Sequence, residues 1–454
     1  MQFVNLNLIL VASITVIFGL NATSFAFHSG GVAECEGCHS VHNSFEGSPN
    51  VTGRTFAQGT GVYLLKANDQ SGVCLNCHHA ADTAPNSYHI STNGVVAGDS
   101  TTPVEMTPGG DFAWLKKTMY KPNGNNPMIY TKGQRHGHNI VASDYGYVAD
   151  PDLTVAPGGT YPAGKLTCSS CHDPHGRYRR FADNSYGTTG HPIFGSGSYN
   201  NSADPIVGTS AVGAYRILGG VGYQPKSLSG SYAFTSDPMD VVVNSTYNRS
   251  EYSGGLAQTG IAYGKNVSEW CANCHGSMLQ GTYTSGMAGL RHPAGNGAKL
   301  TAAIVTNYNA YVRSGIMTNT NPAAAFNTLA PFATDTQDRS VMKPQALNGS
   351  NGVMAHAAAT TADNVTCLSC HRAHATAFDS ILRWKHNYAD DMSEGFLTLA
   401  DGSGNAIYGK GDGSGNGNSM YYSATQMQAA YYGRPATYFG PYARSYCNKC
   451  HAKD

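Results

Sequence analysis

The chain has 454 residues, 28 Lys and Arg against 28 Asp and Glu, and a formal net charge of zero; 41% of residues are hydrophobic and only 12% charged. A neutral chain without a basic stripe or acidic tail excludes a nucleic-acid binder, and low charge excludes a long disordered polyelectrolyte. So little apolar side chain, diluted by 54 Gly, also argues against a conventional protein core of this size.

Residues 1–26 read as a secretory signal peptide. Leu8 to Leu20 is an apolar run of h-region length, and Ser24-Phe25-Ala26 places small residues at the cleavage positions. The n-region Met1–Asn7 has no Lys or Arg, a departure from the pattern. An uncleaved anchor is the alternative, but Val4–Leu20 is short for a span and is interrupted by Asn5 and Asn7. Residues 27–454 then form the mature chain. It has no second apolar run of spanning length, so no stable membrane span is expected after cleavage.

Six Cys-x-x-Cys-His motifs follow, and they use all twelve cysteines. The pairs are Cys35 and Cys38, Cys74 and Cys77, Cys168 and Cys171, Cys271 and Cys274, Cys367 and Cys370, and Cys447 and Cys450. This is the attachment signature of c-type haem: two thiols add to the porphyrin vinyl groups, and the next residue ligates the iron. The proximal ligands are therefore His39, His78, His172, His275, His371 and His451, and the cofactor is haem c, six per chain. Four-thiolate zinc gives no reason for a His after every second Cys. Disulfides are permitted in an exported chain, but such close pairs are poor staples.

The first, third and fifth motifs continue as Cys-His-x-x-His, and the others do not. This alternation predicts three two-haem modules in series. Between motifs, turn signals dominate: Thr107-Pro108-Gly109-Gly110, Ala156-Pro157-Gly158-Gly159 and Gly402-Ser403-Gly404-Asn405. Helical periodicity is weak. Short helices should carry the motifs, Lys299–Ser314 and Ser423–Tyr432 are longer candidates, and Asp240–Val243 and Ile217–Tyr223 suit short strands. The expected fold class is a loop-rich multihaem cytochrome c, mostly coil with short helices and few short strands, in which the haem stack forms the core.

The distal ligand decides what each iron can do: a second His closes it to substrates, and an open face permits catalysis. Twelve of the eighteen histidines remain for this role. His42, His175 and His374 each lie three residues after a proximal ligand, on the same side of one helical turn. They cannot reach the far face of their own haem and suit a neighbouring one. His89, His138, His292 and His356 complete the candidate set, seven for six places. His79 and His28 rank below them. A ligating His usually donates its other ring nitrogen to a carboxylate or carbonyl; Asp173 is a candidate acceptor for His172. The 28 tyrosines read as aromatic packing.

With these blocks in view the chain resembles the outer-surface hexahaem c-type cytochromes of metal-reducing bacteria. The resemblance is carried by His28–Glu34, Met106–Lys117, Gly137–Asp150, Cys168–Arg180, Gly213–Phe234, Arg291–Lys299, Cys367–Ala375 and Cys447–Asp454. Ser185–Ser210, Thr318–Ala355 and Met392–Met420 match less well. It implies six bis-histidine haems stacked in a continuous chain. It also implies head-to-tail polymerisation, with His42 ligating a haem of the adjacent subunit. Haem motifs near both ends of the mature chain suit such an open, heterologous contact.

The expected function is extracellular electron transfer, not enzymatic catalysis, in a conductive homopolymeric filament at the outer cell surface. Its partners would be copies of itself, other redox cytochromes and extracellular acceptors such as metal oxides. The alternatives are a monomeric periplasmic shuttle and a multihaem reductase of a small nitrogen substrate.

Overall fold

A computed structural model describes residues 35–40, 44–45, 48–49, 64–80, 88–98, 103, 105, 107, 109–120, 129–228, 230–244, 261–280, 293–306, 332–346, 359–383, 397–400, 405–409, 419–423 and 450. The signal segment, His42, His292, His356, Cys447 and His451 lie outside them. The fold is loop-rich, as expected. Helices α1 (Cys35–Cys38), α2 (Gln70–His78), α3 (Val267–Gln280) and α5 (Cys367–Cys370) carry four of the motifs. Cys168–Ser170 carries another on a 3-10 turn, and α4 (Arg339–Gln345) carries none. No helix among the described residues is long and apolar enough to cross a membrane.

The strands are short and antiparallel. β1 (Ser44–Phe45) pairs with β2 (Ser48–Pro49), and β3 (Met119–Tyr120) with β4 (Ile129–Tyr130). β5 (Arg179–Arg180) lies between β6 (Tyr186–Gly187) and β7 (Val212–Gly213), and β8 (Val241–Val243) pairs with β9 (Ile261–Tyr263). β10 (Leu397–Ala400), β11 (Asn405–Gly409) and β12 (Ser419–Ser423) form a meander. The strand expected at Asp240–Val243 is β8. Ile217–Tyr223 is not a strand, because Ile217 (φ 52) and Gly222 (φ 79) are left-handed and break the pleat. Of Lys299–Ser314, residues 302–306 are helical, residues 299–301 are not, and residues 307–314 lie outside the described residues. Ser423 closes β12, and the remainder of its expected helix is also outside them.

Apolar packing is divided among several small clusters. Alternation along β8 and β9 feeds two of them. Val241, Val243, Ile261 and Tyr263 face Leu218, Met239, Val267 and Ala333, while Val242 and Ala262 face Met342 and Ala346. Leu75, Phe112, Ile140, Ala142 and Tyr147 form another, and Tyr178, Ala214, Tyr223 and Phe234 a fourth. The chain also crosses itself closely at Ala375, which bridges both Gly110 and Gly137. A Cβ on Gly110 (φ 87) would overlap the Ala375 carbonyl oxygen, and one on Gly137 the His374 carbonyl oxygen.

One buried ion pair joins β5 to β8. Arg180 Nη1 lies 3.2 Å from Asp240 Oδ1, which also accepts a 2.7 Å hydrogen bond from Tyr186 Oη. Burial pushes the Asp240 carboxyl up to about 6, against the opposing pull of Arg180 and Tyr186. Its ordinary value is near 3.9, so the folded state binds a proton that the unfolded chain has released. The stability from this group is full below about pH 4 and is lost as pH rises through 6.

Two outcomes follow for stability. From pH 4 to 7 the unfolding free energy of Asp240→Asn should gain about 2 kcal/mol on wild type, most of two pKa units at 1.36 kcal/mol each; denaturant titration at both pH values measures this. Gly110→Ala should cost about 3 kcal/mol or more, from overlap added to left-handed strain. Gly164→Ala, where an added Cβ meets nothing within 4 Å, should stay within about 0.5 kcal/mol of wild type by thermal melting.

Candidate haem-binding site

The attachment motifs lie beside one another. Helix α2 packs on the Cys168–Ser170 turn, and α3 packs on α5. Both junctions use one device. The backbone N–H of Cys168 donates to Ser71 Oγ (3.1 Å), and that of Cys367 to Ser268 Oγ (3.0 Å). Each serine sits three residues before the first Cys of its own motif. Thr167 with Ser170 and Thr366 with Ser369 form matching capping boxes at the motif entrances.

The thiols meet across these junctions. Cys74 is hydrogen-bonded to Cys168, and Cys271 to Cys367. That bond first, and burial second, raise the pKa of Cys74 and Cys271. None of the eleven described cysteines is in a disulfide. Among the described residues no three or more His, Cys, Asp or Glu converge as a metal cluster.

Four proximal histidines share one orientation. Nδ1 of His78 bonds the carbonyl oxygen of Tyr88 (2.8 Å), that of His172 Arg216 (2.7 Å), that of His275 Pro157 (2.7 Å) and that of His371 Ser380 (2.9 Å). A carbonyl has no proton to give, so Nδ1 must be the donor. The neutral ring then keeps its lone pair on Nε2, the nitrogen left to bind iron. His138 is held in the same way, with Nδ1 donating to Ala373 O (2.7 Å). Asp173 does not hold His172. It accepts from the backbone N–H of His175 (3.2 Å) and from N–H and Nε of Arg177 (3.1 and 3.0 Å), so it closes the turn after the motif.

Two candidate distal histidines face proximal ones. The ring centroids of His138 and His275 are 6.0 Å apart, and those of His172 and His374 6.5 Å. Nε2 lies about 1.1 Å from an imidazole centroid, and metal–nitrogen bonds are about 2.0 Å, so two trans imidazoles on one metal stand about 6.2 Å apart. The centroid spacings of both pairs lie close to that value. The surroundings hold these rings neutral. Burial, then His275, push His138 down to about 4; burial, then His172 and His138, push His374 down to about 3.

His374 is held chiefly by packing. Its ring stacks on Phe112 at 4.5 Å and 22°, and a Cβ on Gly109 would press into its other side. Its backbone carbonyl accepts from His138 N–H (2.9 Å), which ties the two distal candidates together. His89 lies beside Tyr88 (5.4 Å), and the His175 side chain is 71% exposed near Asp173. His42, His292 and His356 lie outside the described residues. His136 is structural, with Nδ1 on Trp114 O (3.0 Å) and Nε2 on Thr131 Oγ1 (2.9 Å). His79 packs on Tyr145 (4.8 Å). Ser71, Ser268, Phe112 and the carbonyl acceptors were not legible as site residues; the one available signal was a Ser three before Cys74 and Cys271.

No protein-family model matches the chain. It is 54% identical over 433 residues to the C-type cytochrome OmcS of Geobacter sulfurreducens, covering 95% of each chain. The cryo-EM structure of the OmcS nanowires from Geobacter sulfurreducens superposes with a TM-score of 0.73 at 53% identity, over 94% of this chain and 100% of that one. The Outer Membrane Cytochrome S Filament of Geobacter sulfurreducens gives 0.72 at 52% identity over the same shares. With identity this high over nearly the whole length, and with thiols and paired histidines arranged for haem, the chain belongs to the OmcS family of c-type cytochromes.

Proposed function

We propose that this chain is the repeating unit of an extracellular filament that carries electrons through six closed, bis-histidine irons. The observation that carries the reading is the pair of imidazole couples, His138 with His275 and His172 with His374, at the spacing of two axial ligands. Bound haem c would supply a one-electron ferric/ferrous couple. The twelve cysteines would anchor it, and the proximal and distal histidines would orient it and exclude exogenous ligands. An electron carrier follows rather than a reductase, which needs an open iron.

The ligand offset suggests the order. His374 belongs to the fifth motif but faces the proximal ligand of the third. The same offset assigns His175 of the third motif to the iron of His39. It then assigns His42 of the first motif to the iron of His371 in an adjacent copy. His89, His292 and His356 remain for the irons of His78 and His451. The relatives' filaments support a head-to-tail assembly of this kind. Its partners would be copies of itself, other redox cytochromes and external acceptors such as metal oxides.

Replacing His138 or His374 with Ala should each convert one haem in six to high spin in the oxidised protein, measured by EPR. His136→Ala should convert none, because both its ring nitrogens are engaged elsewhere. Unchanged low-spin spectra in the first two variants would sink the pairing. His42→Ala should leave six haems attached but abolish long filaments in negative-stain images; filaments of wild-type length would refute the cross-subunit role.

A further inference from the structure

The backbone around the first, third and fifth motifs repeats a feature that the ligand reading does not use. In each, the chain returns to the motif and forms a two-bond bridge. Ser40 N–H donates to Leu64 O (2.8 Å), and Lys66 N–H to Cys38 O (3.0 Å). Asp173 N–H donates to Ile217 O (2.7 Å), and Gly219 N–H to Cys171 O (3.0 Å). Arg372 N–H donates to Ile381 O (3.0 Å), and Arg383 N–H to Cys370 O (2.8 Å). Across these bridges His39 faces Leu65, His172 faces Leu218 and His371 faces Leu382. The same aliphatic-Leu pair therefore returns after three loops of very different length.

The aliphatic residue is left-handed every time: φ is 52° at Leu64, 52° at Ile217 and 57° at Ile381. Arg216 (φ 48, ψ 34) and Ser380 (φ 59, ψ 27), which precede the two isoleucines, are left-handed too. Leu218 N–H donates to Tyr215 O (3.0 Å) and Leu382 N–H to Asp379 O (3.4 Å), closing turns whose central residues are both left-handed. Such turns ordinarily take Asn-Gly, and a β-branched residue with positive φ is a genuine outlier. Eight described non-Gly residues have positive φ. The other three are Asn184, Asn266 and Asp335, residue types that tolerate it. Among the described residues every costly left-handed one thus lies behind a Cys-His-x-x-His motif. From inside two of these turns, the Arg216 and Ser380 carbonyls accept the Nδ1–H of His172 and His371.

We propose that Ile217 and Ile381 are positioning residues for the third and fifth proximal histidines. The two-bond bridge holds each in the left-handed conformation, and that conformation aims the preceding carbonyl at the ring. A right-handed turn would swing that carbonyl away. A hydrogen bond to the second ring nitrogen raises the basicity of a ligating histidine. It therefore favours the ferric state and lowers the reduction potential of these two irons. The His275 ring receives its carbonyl from Pro157, which also precedes a left-handed residue, Gly158 (φ 71), in a turn closed by Gly159 N–H on Ala156 O (3.0 Å); there glycine meets the requirement without strain. This inference rests on the haem reading above.

The test uses the full haem-loaded protein with Gly, Ala or Pro at Ile217 and, separately, at Ile381. Gly accepts a left-handed backbone freely, Ala less so, and Pro not at all. Each Gly variant should melt at or above its Ala counterpart, the reverse of the usual order, and should keep wild-type low-spin g-values and redox titration. Each Pro variant should move one haem in six to a higher potential with altered g-values. If Pro prevents folding, Ala should produce the same shift to a smaller extent. Gly variants melting below Ala at both sites would overturn the proposal, as would Ala and Pro variants that titrate like wild type. A haemochrome assay gives the haem content; fewer than six per wild-type chain would instead overturn the reading on which the proposal rests.

Discussion

The arrangement depends on the hydrogen bond from histidine Nδ1 to a backbone carbonyl. Taken singly such a bond contributes only about 1 kcal/mol net. Its importance is geometric. It fixes the tautomer, leaves Nε2 as the coordinating atom and sets the ring plane. It also selects the second segment of chain that must lie behind each motif. For His275 that segment is 118 residues away at Pro157, and for His138 it is 235 residues away at Ala373. Loops without regular structure thus acquire fixed positions, because the motifs need carbonyls from them.

That constraint explains why the fold tolerates so little regular structure. Long loops ordinarily leave backbone groups unsatisfied or exposed. Here many of those groups are used as ring acceptors, caps and bridges around the motifs. The two Pro-Gly-Gly turns show it. Pro157 presents its carbonyl to His275, while Gly159 lies so close to Cys274 that a Cβ would overlap its carbonyl oxygen. Gly109 presses on His374, and its carbonyl accepts that residue's N–H at 2.6 Å. In both cases a turn acts as part of the binding site.

Much of this was legible in the sequence. Six Cys-x-x-Cys-His motifs give the cofactor, the covalent anchors and the proximal ligands by chemistry alone. The three-residue spacing of His374 from His371 excluded it from its own haem, and the structure places it against His172. What the sequence could not carry was partner choice across long loops. Asp173 looked like an acceptor because it adjoins His172, yet a carboxylate next in sequence is drawn to Arg177, and Arg216 supplies the carbonyl instead. Ile217–Tyr223 looked like a strand because its residues favour one. The motif requires a left-handed turn there, and tertiary bonds override local preference.

The offset of the distal ligands gives the chain its character as a unit of a larger array. His138 and His374 are joined backbone to backbone, yet they face proximal histidines of different motifs. On the proposed ligand order a motif does not complete its own iron; the module beyond it does. Such a scheme cannot close within one chain, because the first module has a surplus ligand and the last has a deficit. Assembly between copies then requires no interaction of a new kind: the rule that joins the third motif to the fifth also joins one chain to the next.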